Sequence, residues 1–222
     1  MERKTYVILG LGIFGSTIAT KLSELNHDVI AIDKNMECVE RISNEVVQAI
    51  RADFTDIEQL KAIDIQDADV AVVATGSHLE ESIMAIMNLK ELKVPYILAK
   101  AKNKKYMQVL LKIGADRVIR PEREMGERVA KQLVSSNIVD LIDIDDDYSV
   151  VEIIAPKTWV NKSLIELDLR KRFGINVLGI RKKPKEHLSI SPNAQYVIEE
   201  NDRLLVIADK ALFSKLDDIL AK

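Results

Sequence analysis

Residues 6–16 read Tyr6-Val7-Ile8-Leu9-Gly10-Leu11-Gly12-Ile13-Phe14-Gly15-Ser16. A short apolar run suited to a buried strand passes directly into a glycine-spaced turn. Apolar residues at helical spacing follow, at Phe14, Ile18, Leu22 and Leu25. The G-x-G-x-x-G pattern is common in isolation, but between a strand and a helix it has a physical meaning. Gly10 permits a tight turn, Gly12 lets the backbone approach a pyrophosphate, and Gly15 lets the helix pack closely on the strand. The helix then presents free N–H groups and its positive dipole end to the phosphates. Leu11, Ile13 and Phe14 complete the loop as candidate contacts.

The partner such a loop needs lies in the next strand candidate, Val29–Ile32, which is followed by Asp33 and Lys34. Asp33 stands about 20 residues after the glycines, where a carboxylate can accept hydrogen bonds from both hydroxyls of an adenosine ribose. The same charge repels a 2′-phosphate, so NADP is disfavoured. Further strand candidates are Val46–Ile50, Val70–Ala74, Tyr96–Ala99 and Arg117–Ile119. Runs such as Val70-Ala71-Val72-Val73-Ala74 are apolar at every position, as in a parallel sheet covered on both faces. Between them, Leu79/Ile83/Ile86/Met87 and Met125/Val129/Leu133 have helical period, each set predicting a stripe buried against the sheet. The fold class is therefore α/β, a Rossmann-like doubly wound parallel sheet, over residues 1–135. In that architecture the carboxyl ends of the strands line the ligand crevice. This places Ala52-Asp53, Thr75-Gly76 and Lys100 at the site, with Asp53 able to accept from an adenine amino group and Thr75-Gly76 allowing close passage of the chain.

From residue 136 the rhythm changes. Asp140–Asp147 reads as an acidic, solvated connector. Strand Val150–Ile154, helix Ser163–Arg172, strand Asn176–Ile180, a short strand near Leu188–Ile190, strand Arg203–Ala208 and helix Lys210–Leu220 follow. This order describes a second, smaller α+β domain over 136–222. Asn161-Lys162-Ser163 supplies a helix cap, and Trp159 is expected to pack in the core.

Composition narrows the function. The formal net charge of −3 leaves no basic footprint for nucleic acid, and no window approaches the ~20 apolar residues of a spanning helix, so direct membrane insertion is not expected. The single cysteine, Cys38, fits a reducing compartment and a packing role. A dehydrogenase would need an acid–base residue. Of the three histidines, His187 falls in a polar turn, His27 in a turn before the second strand and His78 near a helix start. No catalytic or metal-ligand spacing surrounds them. The basic groups Lys102/Lys104/Lys105 and Arg181/Lys182/Lys183/Lys185 read as solvated faces. A small NAD-dependent oxidoreductase and a redox-sensing transcription factor are the competing readings; the latter lacks room for a DNA-binding helix pair before the first strand.

The glycine loop with Asp33 and Ala52-Asp53, the segments Ile113-Gly114-Ala115-Asp116 and Arg120-Pro121-Glu122-Arg123-Glu124-Met125-Gly126, and the later stretches 165–177 and 202–207 together resemble regulator-of-potassium-conductance domains of the KtrA/TrkA type. The resemblance spans nearly the whole chain. It implies a cytoplasmic regulatory subunit, peripheral at the inner face of the cell membrane, whose homodimers assemble into an octameric ring. The ring binds ATP or ADP, with AMP and NAD(H) as alternatives, and gates a separate potassium-translocating membrane subunit of Ktr/Trk type. A sensor regulating another transporter remains the alternative. The resemblance also implies a divalent cation at Glu122 across the dimer interface, where the competing reading is a dipole-favoured glutamate after Pro121. It implies cyclic di-AMP at Arg170 and Asn176, which equally suit a helix-to-strand turn. In many relatives an arginine stands where this chain has Ile13 and reaches the terminal phosphate of ATP; isoleucine cannot, so weakened ATP/ADP discrimination, or a preference for ADP, AMP or NAD(H), is expected.

Overall fold

The computed structural model describes residues 2–76, 78–134, 138–145, 147–182 and 187–209. The chain forms two compact units, residues 1–123 and 124–222. The division falls at the start of a helix, Pro121–Val134, whose far end is the domain boundary expected from the sequence.

The first unit holds six parallel strands: β1 (Thr5–Leu9), β2 (Asp28–Asp33), β3 (Gln48–Arg51), β4 (Val70–Val73), β5 (Tyr96–Lys100) and β6 (Arg117–Ile119). Their order is β3-β2-β1-β4-β5-β6, the doubly wound arrangement, in which strand order reverses between β1 and β4 and opens a crevice there. Helices α1 (Ile13–Glu24), α2 (Met36–Ile42), α3 (Ile57–Lys61), α4 (Leu79–Glu91) and α5 (Lys104–Ile113) connect them. Alternation along β1 shows how both faces are covered. Val7 and Leu9 join a cluster with Ile86, Leu89 and Ile97, while Ile8 joins one with Ala19, Val29 and Val39. Side-chain caps set helix starts: Asn35, Asp56 and Asn103 accept from Glu37 N–H, Glu58 N–H and Tyr106 N–H. Asp116 is structural here, its carboxylate accepting the Ile97 amide at 2.7 Å and pairing with Lys90.

The helical stripes are buried unevenly. Ile86 is fully buried, but Leu25 and Met87 reach the surface. In α6 (Pro121–Val134) the expected buried stripe is instead exposed: Met125 is 55% exposed, Val129 42% and Leu133 81%. The helical period is present, but these three side chains are left exposed.

The second unit carries an antiparallel sheet in the order β10-β9-β11-β8-β7, formed by β7 (Ile138–Asp143), β8 (Tyr148–Ile154), β9 (Asn176–Arg181), β10 (Ser189–Ile190) and β11 (Arg203–Asp209). The acidic connector is therefore in part an edge strand, β7, paired with β8. The expected helix over 163–172 is two short helices, α7 (Leu164–Leu167) and α8 (Leu169–Phe173), broken at Asp168, whose φ is 42°. The Ser163 cap is present as a full capping box with Glu166. That exchange, led by the Ser163 hydroxyl, holds the Glu166 carboxyl below its ordinary range. Trp159 is buried with Leu167, Leu169, Leu204 and Val206, a packing residue as expected. The expected helix Lys210–Leu220, residues 135–137 at the expected domain boundary, Asp146 and Lys183/Lys185 lie outside the described residues.

Candidate nucleotide-binding site

The glycine loop is shaped by its neighbours on both sides of the crevice. Gly10 has φ +97°, a conformation that favours glycine, and its amide donates to Ile32 O at 2.8 Å. A Cβ on Gly15 would overlap the Gly10 carbonyl oxygen and press on Ala74, so helix α1 can sit this close to β1 and β4 only with glycine there. Gly12 differs: it is the N-terminal flanking residue of α1, and apart from its own chain neighbours no atom of the described residues lies within 4 Å of where its Cβ would be. Packing within the chain does not call for glycine at Gly12, whereas close approach of a ligand to the backbone would. The first turn of α1 carries no acidic residue. Leu11 is buried, Phe14 half-buried, and Ile13 is 88% exposed.

Asp33 closes the loop from the side. Its Oδ2 accepts the Leu11 amide at 2.6 Å and its Oδ1 accepts the Asn35 amide at 2.8 Å. The carboxylate is thus fixed against the glycine loop with acceptor capacity remaining on both oxygens. Ala52 follows β3 and donates its amide to Asp33 O at 3.1 Å. Asp53 Oδ1 accepts the amide and hydroxyl of Thr55, at 2.8 and 2.5 Å. Burial opposes its charge, but those two bonds and the Lys34 ammonium outweigh it and hold the carboxyl below the ordinary aspartate range.

On the other side of the crevice, Thr75 and Gly76 follow β4, and the Thr75 amide is the nearest neighbour to the Gly10 Cβ position. The aliphatic stem of Lys100, at the end of β5, lies against Gly76, with its ammonium 5.6 Å from the Phe14 ring centroid. The same ammonium pairs with Glu122 in the first turn of α6, and the Glu122 carboxyl is held below its ordinary range chiefly by that bond. Every sequence-predicted residue of this site thus falls on one end of the sheet, around the β1/β4 reversal. Glu122 is occupied with Lys100, and no cluster of three or more metal-ligating side chains occurs among the described residues.

Two participants were not anticipated. Glu81, in the first turn of α4, sits 3.3 Å from Lys34 Nζ, and the Phe54 ring centroid lies 5.6 Å from the same ammonium. In the sequence Glu80-Glu81 carries only the signal of acids at a helix N-terminus; its pairing 47 positions away is a tertiary fact.

In the second unit, Arg170 and Asn176 are both exposed and both line one depression of about 260 Å³, with Ile165, Asp168, Ile175 and Pro192. Of the remaining polar candidates, His187 is exposed, His78 precedes α4, and His27 packs on Tyr6 with ring centroids 5.2 Å apart. Cys38 is a half-buried free thiol packed against the core on the α1/α2 side.

Residues 6–121 match the TrkA-N domain and residues 149–221 the TrkA-C domain. The chain is 35% identical to Ktr system potassium uptake protein A of Bacillus subtilis, covering 95% of this chain and 94% of that protein. It is 36% identical to Ktr system potassium uptake protein C of the same organism, covering 97% and 96%. Among solved structures, the GsuK RCK domain shares the fold with a TM-score of 0.67 at 18% identity, over 100% of this chain and 48% of that one. The GsuK channel bound to NAD gives a TM-score of 0.69 at 18% identity, over 100% and 40%. With both domain matches in order and near-complete coverage of two potassium uptake proteins, the chain belongs to the TrkA-N/TrkA-C family of Ktr-type potassium uptake proteins.

Proposed function

We propose that the chain is a cytoplasmic nucleotide-sensing regulatory subunit that gates a separate potassium-translocating membrane protein of Ktr/Trk type. The observation that carries this reading is the pairing of an open Gly12 at the N-terminus of α1 with a carboxylate, Asp33, already fixed beside it. Phosphates would meet the free amides of α1, the ribose would meet Asp33, and the adenine would lie toward Asp53. Lys100 would trade Glu122 for phosphate. No described helix is long and apolar enough to cross a membrane, so translocation falls to another chain. The site is read as one of binding rather than catalysis, in keeping with the potassium uptake role named for the relatives.

Gating requires that the nucleotide bind two assembly states with different affinities. The exposed stripe of α6 supports self-association, and the family resemblance supports dimers arranged as an octameric ring. A divalent cation at Glu122 would join two copies, each contributing a carboxylate. Arg170 and Asn176 offer a cation and an amide to a second ligand, cyclic di-AMP, in their shared depression.

Calorimetric titration with ATP, ADP, AMP and NADH, alongside assays for hydrolysis and hydride transfer, tests the reading. Binding without turnover supports it. Failure of all four to bind overturns it, and turnover would make the chain an enzyme. Cyclic di-AMP titration tests the second site separately.

A further inference from the structure

Lys34 is placed to do something that its two acidic neighbours prevent. It directly follows Asp33, the residue facing the ribose in the proposed site, and it lies at the same strand end. A cation at that edge is what a 2′-phosphate needs, as when an arginine accommodates the extra phosphate of NADP. Here the ammonium is held at 3.3 Å by Asp53 from beyond β3 and at 3.3 Å by Glu81 from α4, over the Phe54 ring. Its contacts come from the loop after β3, which carries both Asp53 and Phe54, and from α4, so the side chain is fixed by tertiary structure and not by its own strand. Its side chain remains 41% exposed and the two acids 39% and 33%, so the arrangement can exchange with a competing anion.

We infer that Asp53 and Glu81 are specificity-determining residues that sequester Lys34 and so keep the adenosine site selective for an unmodified ribose. The inference rests on the proposed nucleotide site. With Lys34 held by the two acids, a 2′-phosphate meets the carboxylate of Asp33, and the other cation at this edge is Arg51, at the end of β3, whose Nε donates to the Lys34 carbonyl at 3.2 Å. Three acids, Asp33, Asp53 and Glu81, against two cations, Lys34 and Arg51, leave the local balance negative, which disfavours a further anion. Discrimination against 2′-phosphorylated nucleotides therefore belongs to four residues, Asp33, Lys34, Asp53 and Glu81, and not to Asp33 alone.

The test compares AMP with adenosine 2′,5′-bisphosphate by calorimetry on the full chain. Native protein should favour AMP. Glu81→Gln should shift the affinity ratio toward the bisphosphate by about tenfold, the scale of one freed charge-assisted contact at a partly exposed position. Adding Lys34→Ala to Glu81→Gln should return the ratio to the native value. A ratio unmoved by Glu81→Gln overturns the inference. So does a gain that survives Lys34→Ala, since that gain would come from removing a negative charge and not from Lys34. Circular dichroism of each variant confirms folding, and Glu81→Asp, which keeps the charge, should behave as native. Loss of AMP binding in the native chain would instead sink the nucleotide site itself, and this inference with it.

Discussion

Lys100 and Glu122 form an ion pair between the end of β5 and the first turn of α6, beside the glycine loop. The bond from Lys100 keeps the Glu122 carboxyl below its ordinary range, so its folded-state pKa lies below the unfolded one. Such a group adds stability that is present above the unfolded pKa and is lost as pH falls through the folded pKa. Native protein should therefore lose more melting temperature between about pH 5 and pH 3 than Glu122→Gln. Glu122 is 69% exposed, so the difference should amount to about 1 kcal/mol or less. A larger acid sensitivity in Glu122→Gln than in native protein would refute this account.

The two glycines that flank Ile13 and Phe14 should separate folding from binding. Gly15→Ala should destabilise the first unit by about 1–3 kcal/mol, because the new methyl group has to displace the Gly10 carbonyl. Gly12→Ala should change stability by no more than about 1 kcal/mol, since its backbone angles, φ −64° and ψ −177°, suit alanine. Its nucleotide affinity should nevertheless fall, because the methyl group would occupy the space offered to phosphate. Thermal melts and titrations on both variants decide the matter; equal behaviour of the two would contradict the role given to Gly12.

Replacing Asp33 by asparagine should weaken adenine nucleotide binding by about 10- to 100-fold, the loss of one or two charge-assisted hydrogen bonds. The native chain should prefer ATP to 2′-deoxy-ATP, and Asp33→Asn should abolish that preference. Retained discrimination in the variant would place the ribose elsewhere.

Ile13→Arg should raise the ATP/ADP affinity ratio, because an arginine at this 88% exposed position can reach a terminal phosphate, within one chain or across a dimer. An unchanged ratio would show that the terminal phosphate lies out of its reach.

Leu133→Glu should reduce the assembly size measured by light scattering. Leu133 is 81% exposed and ends a stripe with Met125 and Val129, and apolar residues in a row on a helix seek a partner surface. Unaltered mass would mean that α6 is not part of the contact between copies.

What could be read from the sequence follows from how local each feature is. The glycine loop, Asp33 and the parallel strands depend on short-range pattern, and the sheet has them where that pattern puts them. The edge strand β7 was hidden because Asp140 and Asp143 interrupt its apolar residues, and a charged edge resembles a connector. The break at Asp168 was hidden because a left-handed non-glycine residue leaves no compositional mark. The α6 stripe was readable as a helix face, but its destination was not, because periodicity says that a face is apolar and not what will cover it. Glu81 could be found only by folding the chain, since nothing near it in sequence points to Lys34.

Because amides of Leu11 and Asn35 already grip the Asp33 carboxylate, the half of the crevice that would recognise a ribose is built before any ligand arrives. An incoming nucleoside would have little disorder to remove there, so the entropic toll of association is low on that side. In a nucleotide sensor of this design the mechanical response would originate in groups that exchange partners on binding, such as the Lys100 ammonium at the start of α6. In such a receptor the rigid wall would identify the visitor, and an exchangeable charge would report its presence.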